Sequence, residues 1–198
     1  LAIVGGGLVG ASLAVSLSAT PLRIALVEAF APDSASQPSF DERTTALGNA
    51  SRRVFEALGL WQAMEPDAAP ITDIHVSDAG RFGFARLAAR DFAVPALGYV
   101  VPNRVLGRVL WEGLRRAANV TPFVPMRVQA VTPGADAVGL ALESDTGRMD
   151  IEARLVVAAD GANSLVREAA GLSAMVDDYR QVAVVAALRT DQGNDGNR

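Results

Sequence analysis

The sequence predicts an α/β fold that opens with a parallel βαβ crossover unit. The apolar runs LAIVG and LRIALVE are typical of short buried strands, and GGLVGASLAVSLSA between them has the pattern of a helix. Parallel strands need a crossover connection of this kind, because a tight turn reverses the chain direction. The chain is therefore expected to begin inside the main sheet of its first domain.

Composition and charge exclude several classes of partner. The 198 residues are 50% hydrophobic and 20% charged, with a formal net charge of −4. Such a chain should fold, but it lacks the broad cationic surface that nucleic acid requires, so no nucleic-acid partner is expected. With no cysteine and only His75 as histidine, no metal site is predicted. No stretch has the pattern of a secretory signal or a membrane span, which predicts a cytoplasmic protein.

The middle of the chain changes from helical to strand-like spacing. Residues 31–40 are rich in Pro and Ser and predict a loop. The following run NASRRVFEALGLWQAM has helical spacing of Val54, Leu58 and Trp61. In contrast, ITDIHVSDAGRFGFARL alternates around the turn DAGR, which predicts a hairpin of a separate antiparallel layer.

The second half predicts one helix, several strands and a short final helix. RVLGRVLWEGLRRAAN places Val105, Val109, Leu110 and Leu114 on one helical face. Strands are predicted at MRVQAV, VGLALES and MDIEARLVVAAD, and the uniformly apolar LVVAAD suggests a strand buried on both faces. ADGANSLVREAAG then predicts a turn and a helix, and QVAVVAALR a final strand.

Glycines at positions 5, 7 and 10 match the pattern G-x-G-x-x-G, directly after a strand and at the start of a helix. Gly5 permits a tight turn, Gly7 lets the backbone approach a pyrophosphate, and Gly10 lets the helix pack closely on the strand. The positive end of the helix also attracts phosphate. This context predicts a Rossmann-like dinucleotide site, whereas the same glycines alone also occur where nothing binds.

Glu28 supports the dinucleotide interpretation. It ends the second strand, 18 residues after Gly10, close to the roughly 20-residue spacing of a ribose-binding carboxylate. A carboxylate there accepts both ribose hydroxyls and repels a 2′-phosphate, which favours FAD or NAD over NADP. The alternative is a solvated carboxylate at a strand end.

The motifs GGGLVG, DERTTAL, YVVPNRVLGRVL and ADGANSLVR occur in that order. Together they resemble the flavin-dependent aromatic hydroxylases related to p-hydroxybenzoate hydroxylase. DERTTALGNASRRVFEALGLW and ALGYVVPNRVL are similar, more narrowly, to the ubiquinone-biosynthesis 2-polyprenyl-6-methoxyphenol hydroxylases. The resemblance covers nearly the whole chain. It implies a Rossmann-like FAD-binding βαβ domain, with part of an antiparallel-sheet substrate domain inserted.

The resemblance also implies domain boundaries and nucleotide-binding residues. Residues 1–70 plus 98–172 would form the FAD-binding domain, and residues 71–97 plus 173–198 part of the substrate-domain sheet. The implied contacts to the ADP half of FAD are Gly5, Gly7 and Gly10 at the pyrophosphate, Glu28 at the ribose and the Val128 backbone at the adenine.

Three further residues are implied to contact the cofactor. Asp160 would meet the ribityl-pyrophosphate region, and Arg43 and Arg104 would pair with phosphate or hold the ribityl chain. For both arginines the alternative is a surface ion pair, with Asp41 or Glu42 as a partner for Arg43. No catalytic residue is assigned.

The function implied is that of an FAD-dependent monooxygenase. Such an enzyme uses NAD(P)H and O₂ to hydroxylate a phenolic ring through a flavin C4a-hydroperoxide. The expected substrate is a polyprenylated ubiquinone precursor, with peripheral contact to a membrane or a biosynthetic complex. An FAD-dependent dehydrogenase or oxidase and a non-catalytic dinucleotide-binding module are the alternatives, and DGANSLVR after an apolar strand argues against the first.

One motif of the family is absent. The Gly-Asp sequence that is followed by a small residue, an Ala or Ser and a His should come after the strand ending near Arg189, and it does not occur. The chain also starts without Met and ends in the polar sequence DQGNDGNR. The expectation is an incomplete N-terminal part that is inactive by itself.

Overall fold

The structure is a computed structural model that describes residues 1–34, 37 and 40–184. Contacts divide the chain into unit 1, formed by Leu1–Phe40 and Gly107–Val184, and unit 2, of which Asp41–Leu106 is described. The two units are defined by contacts between residues and not by what each of them binds. The division into an FAD-binding and a substrate domain at residues 70, 98 and 172 therefore stays a prediction.

The described residues form twelve strands and five α-helices. The strands are β1 (Ala2–Val4), β2 (Ile24–Val27), β3 (Thr44–Gly48), β4 (Ala69–Ile71), β5 (Asp73–Ser77), β6 (Phe84–Ala88), β7 (Gly98–Pro102), β8 (Val120–Phe123), β9 (Arg127–Pro133), β10 (Val138–Ser144), β11 (Gly147–Ala153) and β12 (Val156–Ala158). The helices are α1 (Leu8–Ser16), α2 (Asn49–Ala57), α3 (Trp61–Met64), α4 (Asn103–Arg115) and α5 (Leu165–Ala169).

Unit 1 is built on a parallel sheet with the strand order β12-β1-β2-β8. The predicted βαβ unit is confirmed, because β1 pairs with β2 in parallel and α1 connects them. Ile3 and Leu26 at the centre of the two strands are fully buried. The carboxyl ends of β1, β2 and β12 therefore lie at one edge of the sheet, where ligands of open α/β sheets bind.

The prediction that LVVAAD forms a strand buried on both faces is wrong for β12. In the described residues it is an edge strand whose neighbour is β1, with Ala2 opposite Val156. Val156 and Val157 are half-buried, and Ala158 is exposed. An apolar run indicates a strand, but its place in the sheet depends on which distant strands pair with it.

The second sheet of unit 1 is antiparallel, with the order β11-β10-β9. The predicted strands MRVQAV and VGLALES are confirmed as β9 and β10, whereas the predicted run MDIEARLVVAAD is divided between β11 of this sheet and β12 of the parallel sheet. One register shift interrupts the pairing of β9 with β10. Val128 lies opposite Leu142 and Ala130 opposite Ala141, so Gln129 is the extra residue of a β-bulge.

Buried side chains of both sheets and of α5 form a shared core in unit 1. Its buried members are Ala2, Val4, Val27, Leu140, Leu142, Ala153 and Val166. Because the two sheets share this core, removing one side chain from it should destabilise the whole unit.

Leu142→Ala is expected to lower the free energy of unfolding by about 2–5 kcal/mol, the usual cost of a core cavity. Leu142 is 1% exposed. Urea denaturation followed by circular dichroism measures the change. The control Leu172→Ala removes the same atoms from a side chain that is 64% exposed, and should change the free energy by less than about 0.5 kcal/mol. Equal effects of the two substitutions would contradict the core assignment.

Unit 2 contains a second antiparallel sheet, with the order β3-β7-β4, and the separate hairpin β5-β6. The hairpin was predicted, and within it His75 stacks on Phe84 with ring centroids 5.2 Å apart. Strand β3 was not predicted, since TTALG has no alternation of apolar and polar residues. Its pairing with β7 forms across the intervening chain, from Thr44↔Pro102 to Gly48↔Gly98.

The predicted helix from residue 49 to 64 is broken into α2 and α3. Gly59 has a φ of +70°, a conformation that ends a helix and that glycine adopts without strain. Within α2, Phe55 rather than the predicted Val54 is buried, and Val54 is 52% exposed. Trp61 is buried as expected.

The later helical predictions are confirmed. In α4, Val105, Val109, Leu110 and Leu114 are all buried. Of the predicted strand QVAVVAALR, residues 181–184 have no regular structure and residues 185–189 lie outside the described residues. None of the helices in the described part of the chain has the length and hydropathy of a bilayer-crossing segment.

Candidate functional site

A cavity of about 520 Å³ lies at the carboxyl edge of the parallel sheet in unit 1. It brings together five of the residues singled out from the sequence: Gly5, Gly7, Glu28, Val128 and Asp160. They come from the ends of β1, β2 and β12 and from the start of β9. Residues far apart in the chain thus converge because parallel strands end at one edge.

The glycine loop between β1 and α1 and the first turn of α1 leave no room for a side chain at several glycines. Gly5 has a φ of +101°, and a Cβ there would lie 2.2 Å from the Ala159 carbonyl oxygen. A Cβ on Gly10 would lie 1.8 Å from the Gly5 carbonyl oxygen. Gly7 is the N-cap of α1 and provides no side-chain cap. The loop is therefore held close to β12, and the helix N-terminus is available to an anion.

Glu28 is held by backbone donors at the cavity wall. Its side chain is buried, and its carboxylate accepts hydrogen bonds from Gly6 N at 2.6 Å and Phe30 N at 2.9 Å. Gln37 Nε2 lies 3.5 Å from the same carboxylate. An ionised carboxylate has about four acceptor positions. Glu28 is thus fixed in one orientation and retains acceptor capacity for ligand hydroxyls.

Asp160 presents an unsatisfied acceptor. Its Oδ2 accepts from Val166 N in α5 at 3.3 Å, whereas its Oδ1 is buried without a partner in the described part of the chain. Gly161, at a φ of +86°, turns the chain, and Ser164 caps α5 by accepting from Arg167 N at 3.0 Å. A buried acceptor without a partner costs about 1–3 kcal/mol. A ligand donor at Oδ1 would remove that cost.

The start of β9 forms the opposite wall. Met126 N donates to the Glu28 carbonyl at 2.8 Å, which fixes this segment beside the end of β2. The bulge at Gln129 interrupts the strand pairing next to Val128, and both residues line the cavity. The guanidinium carbon of Arg127 lies 4.7 Å from the centre of the Phe30 ring, a cation–π contact at the cavity edge.

Arg43 and Arg104 lie in unit 2, where both form exposed ion pairs. Arg43 Nε is 2.6 Å from Asp41 Oδ2, and Arg104 Nε is 2.9 Å from Glu42 Oε1. The segment between these acids also meets the start of α4, since Asn103 N donates to the Arg43 carbonyl at 2.8 Å. The geometry therefore shows the ion pairs that the sequence left as the alternative. The cofactor role of the two arginines stays a prediction.

Arg43 shifts the titration of its partner. Desolvation acts to raise the pKa of Asp41, but hydrogen bonds from the Arg43 backbone and guanidinium and the positive charge outweigh it, so the pKa lies below its ordinary value of 3.8. A lowered folded-state pKa means that this pair stabilises the fold above pH 3.8. The contribution is lost as the pH falls through the folded-state pKa.

Arg43→Ala is therefore expected to raise the pKa of Asp41 toward 3.8, because the charge and one of the hydrogen bonds disappear. Carboxyl ¹³C NMR of Asp41 during an acid titration measures the midpoint. Arg53→Ala, at an exposed position of α2, should leave that midpoint unchanged. The same midpoint in wild type and Arg43→Ala would contradict the pairing.

Comparison with known families identifies the domain in which the cavity lies. Residues 1–192 match the family described as FAD binding domain. The chain belongs to this family. The predicted cofactor class and fold are thereby confirmed. The assignment of Gly5, Gly7, Glu28, Val128 and Asp160 as cofactor contacts stays a prediction.

Two curated relatives are similar to this chain over nearly all of its residues. Ubiquinone hydroxylase UbiL of Rhodospirillum rubrum is 33% identical over 194 residues, which cover 98% of this chain and 44% of the relative. The 3-demethoxyubiquinol 3-hydroxylase of Escherichia coli is 33% identical over 196 residues, covering 96% of this chain and 48% of the relative. The chain thus spans less than half the length of these relatives.

A solved structure supports the fold. The p-nitrophenol 4-monooxygenase PnpA from Pseudomonas putida DLL-E4 superposes with a TM-score of 0.73 and is 24% identical, covering 87% of this chain and 43% of that one. The α/β architecture with its antiparallel layer is therefore shared with this solved structure, as the sequence predicted.

The residues present fit the ADP half of FAD. Gly5 and Gly10 admit no side chain because the loop packs closely on β12 and α1, and Gly5 and Gly7 line the cavity where a pyrophosphate would lie. Glu28 has acceptor capacity for ribose hydroxyls, and Asp160 Oδ1 has no partner in the described residues. Each of these features is what a dinucleotide requires.

Sequence reasoning missed two residues that hold the glycine loop in place beside the cavity. Gly6 lies between the predicted glycines, and a Cβ there would lie 2.9 Å from both Glu28 Cβ and Trp111 Cζ2. Trp111 Nε1 donates to the Gly6 carbonyl at 3.2 Å. The run of three glycines was a signal for Gly6. Nothing local indicated Trp111, which is 105 residues away along the chain.

Proposed function

We propose that this chain forms the ADP-binding portion of an FAD-dependent monooxygenase that hydroxylates a phenolic ring. The observation that carries the proposal is the single cavity joining the glycine loop, Glu28 and Asp160 at the carboxyl edge of the sheet. Glu28 and Asp160 accept hydrogen bonds, which matches ribose and ribityl hydroxyls. The glycine loop donates them, which matches phosphates. The family and the names of its hydroxylase relatives support the reaction class.

Each residue has a proposed task. Backbone groups of Gly5 and Gly7, with Gly10 beneath them, approach the pyrophosphate. Glu28 accepts the adenosine ribose hydroxyls, and the Val128 backbone meets the adenine.

Asp160 Oδ1 accepts a hydrogen bond from a hydroxyl of the ribityl chain beside the pyrophosphate. For Arg43 and Arg104 we keep the proposal that they bind the phosphate or ribityl part of FAD in exchange for their present carboxylate partners. Bound FAD supplies the redox chemistry of oxygen insertion, with NAD(P)H as the reductant. The contribution of these residues is binding and orientation.

For the substrate we propose a polyprenylated ubiquinone precursor. The two relatives named above are hydroxylases of ubiquinone or demethoxyubiquinol by name. A prenylated ring is strongly apolar, so we propose that a cytoplasmic protein acting on it makes peripheral contact with a membrane or with a biosynthetic complex.

The reaction class is tested on the full-length protein loaded with FAD. Incubation with NAD(P)H, a phenolic substrate and ¹⁸O₂ should place one ¹⁸O atom in the ring product, measured by mass spectrometry. NAD(P)H oxidation that yields only hydrogen peroxide, with no label in any phenol or quinol tested, would point to an oxidase and contradict the proposal.

A further inference from the structure

Trp111 contacts the glycine loop from outside the cavity lining. This residue of α4 is 5% exposed, and its Nε1 donates to the Gly6 carbonyl oxygen at 3.2 Å. Its ring is so close to Gly6 that a Cβ there would lie 2.9 Å from Cζ2. Trp111 is not among the residues that line the cavity, whereas Gly5 and Gly7 on either side of Gly6 are.

Gly6 is bound at both of its backbone groups. Its N–H donates to Glu28 Oε2 at 2.6 Å, and its carbonyl accepts from Trp111. These two groups belong to different peptide units, so both units flanking the Gly6 Cα are fixed. A glycine has the greatest backbone freedom of any residue, and without these partners the loop would sample several orientations.

The carbonyl of Gly6 and the N–H of Gly7 belong to one planar trans peptide unit. In such a unit the C=O and N–H bonds point in opposite directions. Because the Gly6 carbonyl points toward Trp111, the Gly7 N–H points away from it. Gly7 is also the N-cap of α1, at the positive end of the helix.

We propose that Trp111 is a positioning residue: its indole N–H fixes the Gly6–Gly7 peptide so that the Gly7 N–H faces the pyrophosphate of FAD. This inference rests on the proposed ADP site. Trp111 acts through the backbone, and it touches neither ribose nor adenine. Its effect should therefore depend on the presence of a pyrophosphate in the ligand.

The test compares ADP with adenosine. Trp111→Phe keeps an aromatic ring against Gly6 and removes the donor. Isothermal titration of the chain should show ADP binding weakened about three- to tenfold, the range expected for one hydrogen bond, with adenosine binding unchanged. The ratio of the two affinities falls by the same factor.

A matched control exists in unit 2. Trp61 is also buried, and its Nε1 has no hydrogen-bond partner in the described residues. Trp61→Phe makes the same chemical change where no bond is lost, so it should leave both affinities and their ratio as in wild type.

The possible results distinguish the positioning role of Trp111 from the proposed ADP site. If Trp111→Phe weakens ADP and adenosine by the same factor, Trp111 only packs and the positioning role is overturned. If neither affinity changes, the role is likewise overturned while the ADP site stands. If the wild-type chain binds ADP no more tightly than adenosine, the loop binds no pyrophosphate, and the proposed function fails together with the role of Trp111.

Discussion

Glu28→Ala is expected to lower the affinity of the chain for ADP by about 10²–10⁴-fold. The wild-type carboxylate is held by Gly6 N and Phe30 N in an orientation that leaves acceptors for the ribose. Hydrogen bonds to a charged group contribute about 1.5–3 kcal/mol each, and two ribose hydroxyls give the stated range. Isothermal titration, or competition against FAD followed by fluorescence, measures the loss.

Two controls separate ribose binding from damage to the loop. Glu28→Gln keeps one acceptor oxygen and the side-chain volume, so its loss should be smaller than that of Glu28→Ala. Glu152→Ala removes an exposed carboxylate on β11 and should leave the affinity unchanged.

The ligand 2′-deoxy-ADP isolates the ribose contact itself. Wild type should bind it more weakly than ADP, and Glu28→Ala should bind the two equally. An unchanged preference for ADP in Glu28→Ala would mean that Glu28 does not contact the ribose.

Gly10→Ala is expected to destabilise the fold by about 3 kcal/mol or more and to abolish retention of FAD. Its Cβ would lie 1.8 Å from the Gly5 carbonyl oxygen, which is backbone and cannot move without displacing β1 and the loop. Overpacking of a tight site costs about 1–3 kcal/mol and more where backbone must shift. Urea denaturation and the visible absorption of the chain after removal of free FAD measure the two effects.

The control for Gly10→Ala is Gly139→Ala in β10. A Cβ on Gly139 would meet Thr132 at an ordinary 3.8 Å. Since glycine weakens a strand relative to alanine, that substitution should leave stability unchanged or raise it by up to about 1 kcal/mol. A Gly10→Ala chain with wild-type stability and retained FAD would contradict the close packing of α1 on the loop.

The parts of the site that were predictable are those fixed by local sequence. The strand, glycine loop, helix and Glu28 lie within 28 residues, and each has a steric or electrostatic reason that holds in any protein with this turn. The Ser164 cap and the turn at Gly161 were readable for the same reason.

The missed features depend on pairing between distant segments. Strand β3 exists because β7 pairs with it, and among the described residues β12 is an edge strand because of the order of its neighbours. The break at Gly59 was present in the sequence, but the apolar spacing on both sides favoured a continuous helix. No local pattern indicates that Trp111 meets Gly6.

Equilibrium dialysis of the chain against FAD, ADP and FMN would show whether the cavity of unit 1 binds the ADP half of FAD. FMN carries the flavin and one phosphate but no adenosine. The expected result is that FAD binds, that ADP displaces it, and that FMN binds far more weakly than either. FMN binding as tight as that of FAD, or FAD that ADP fails to displace, would contradict the claim.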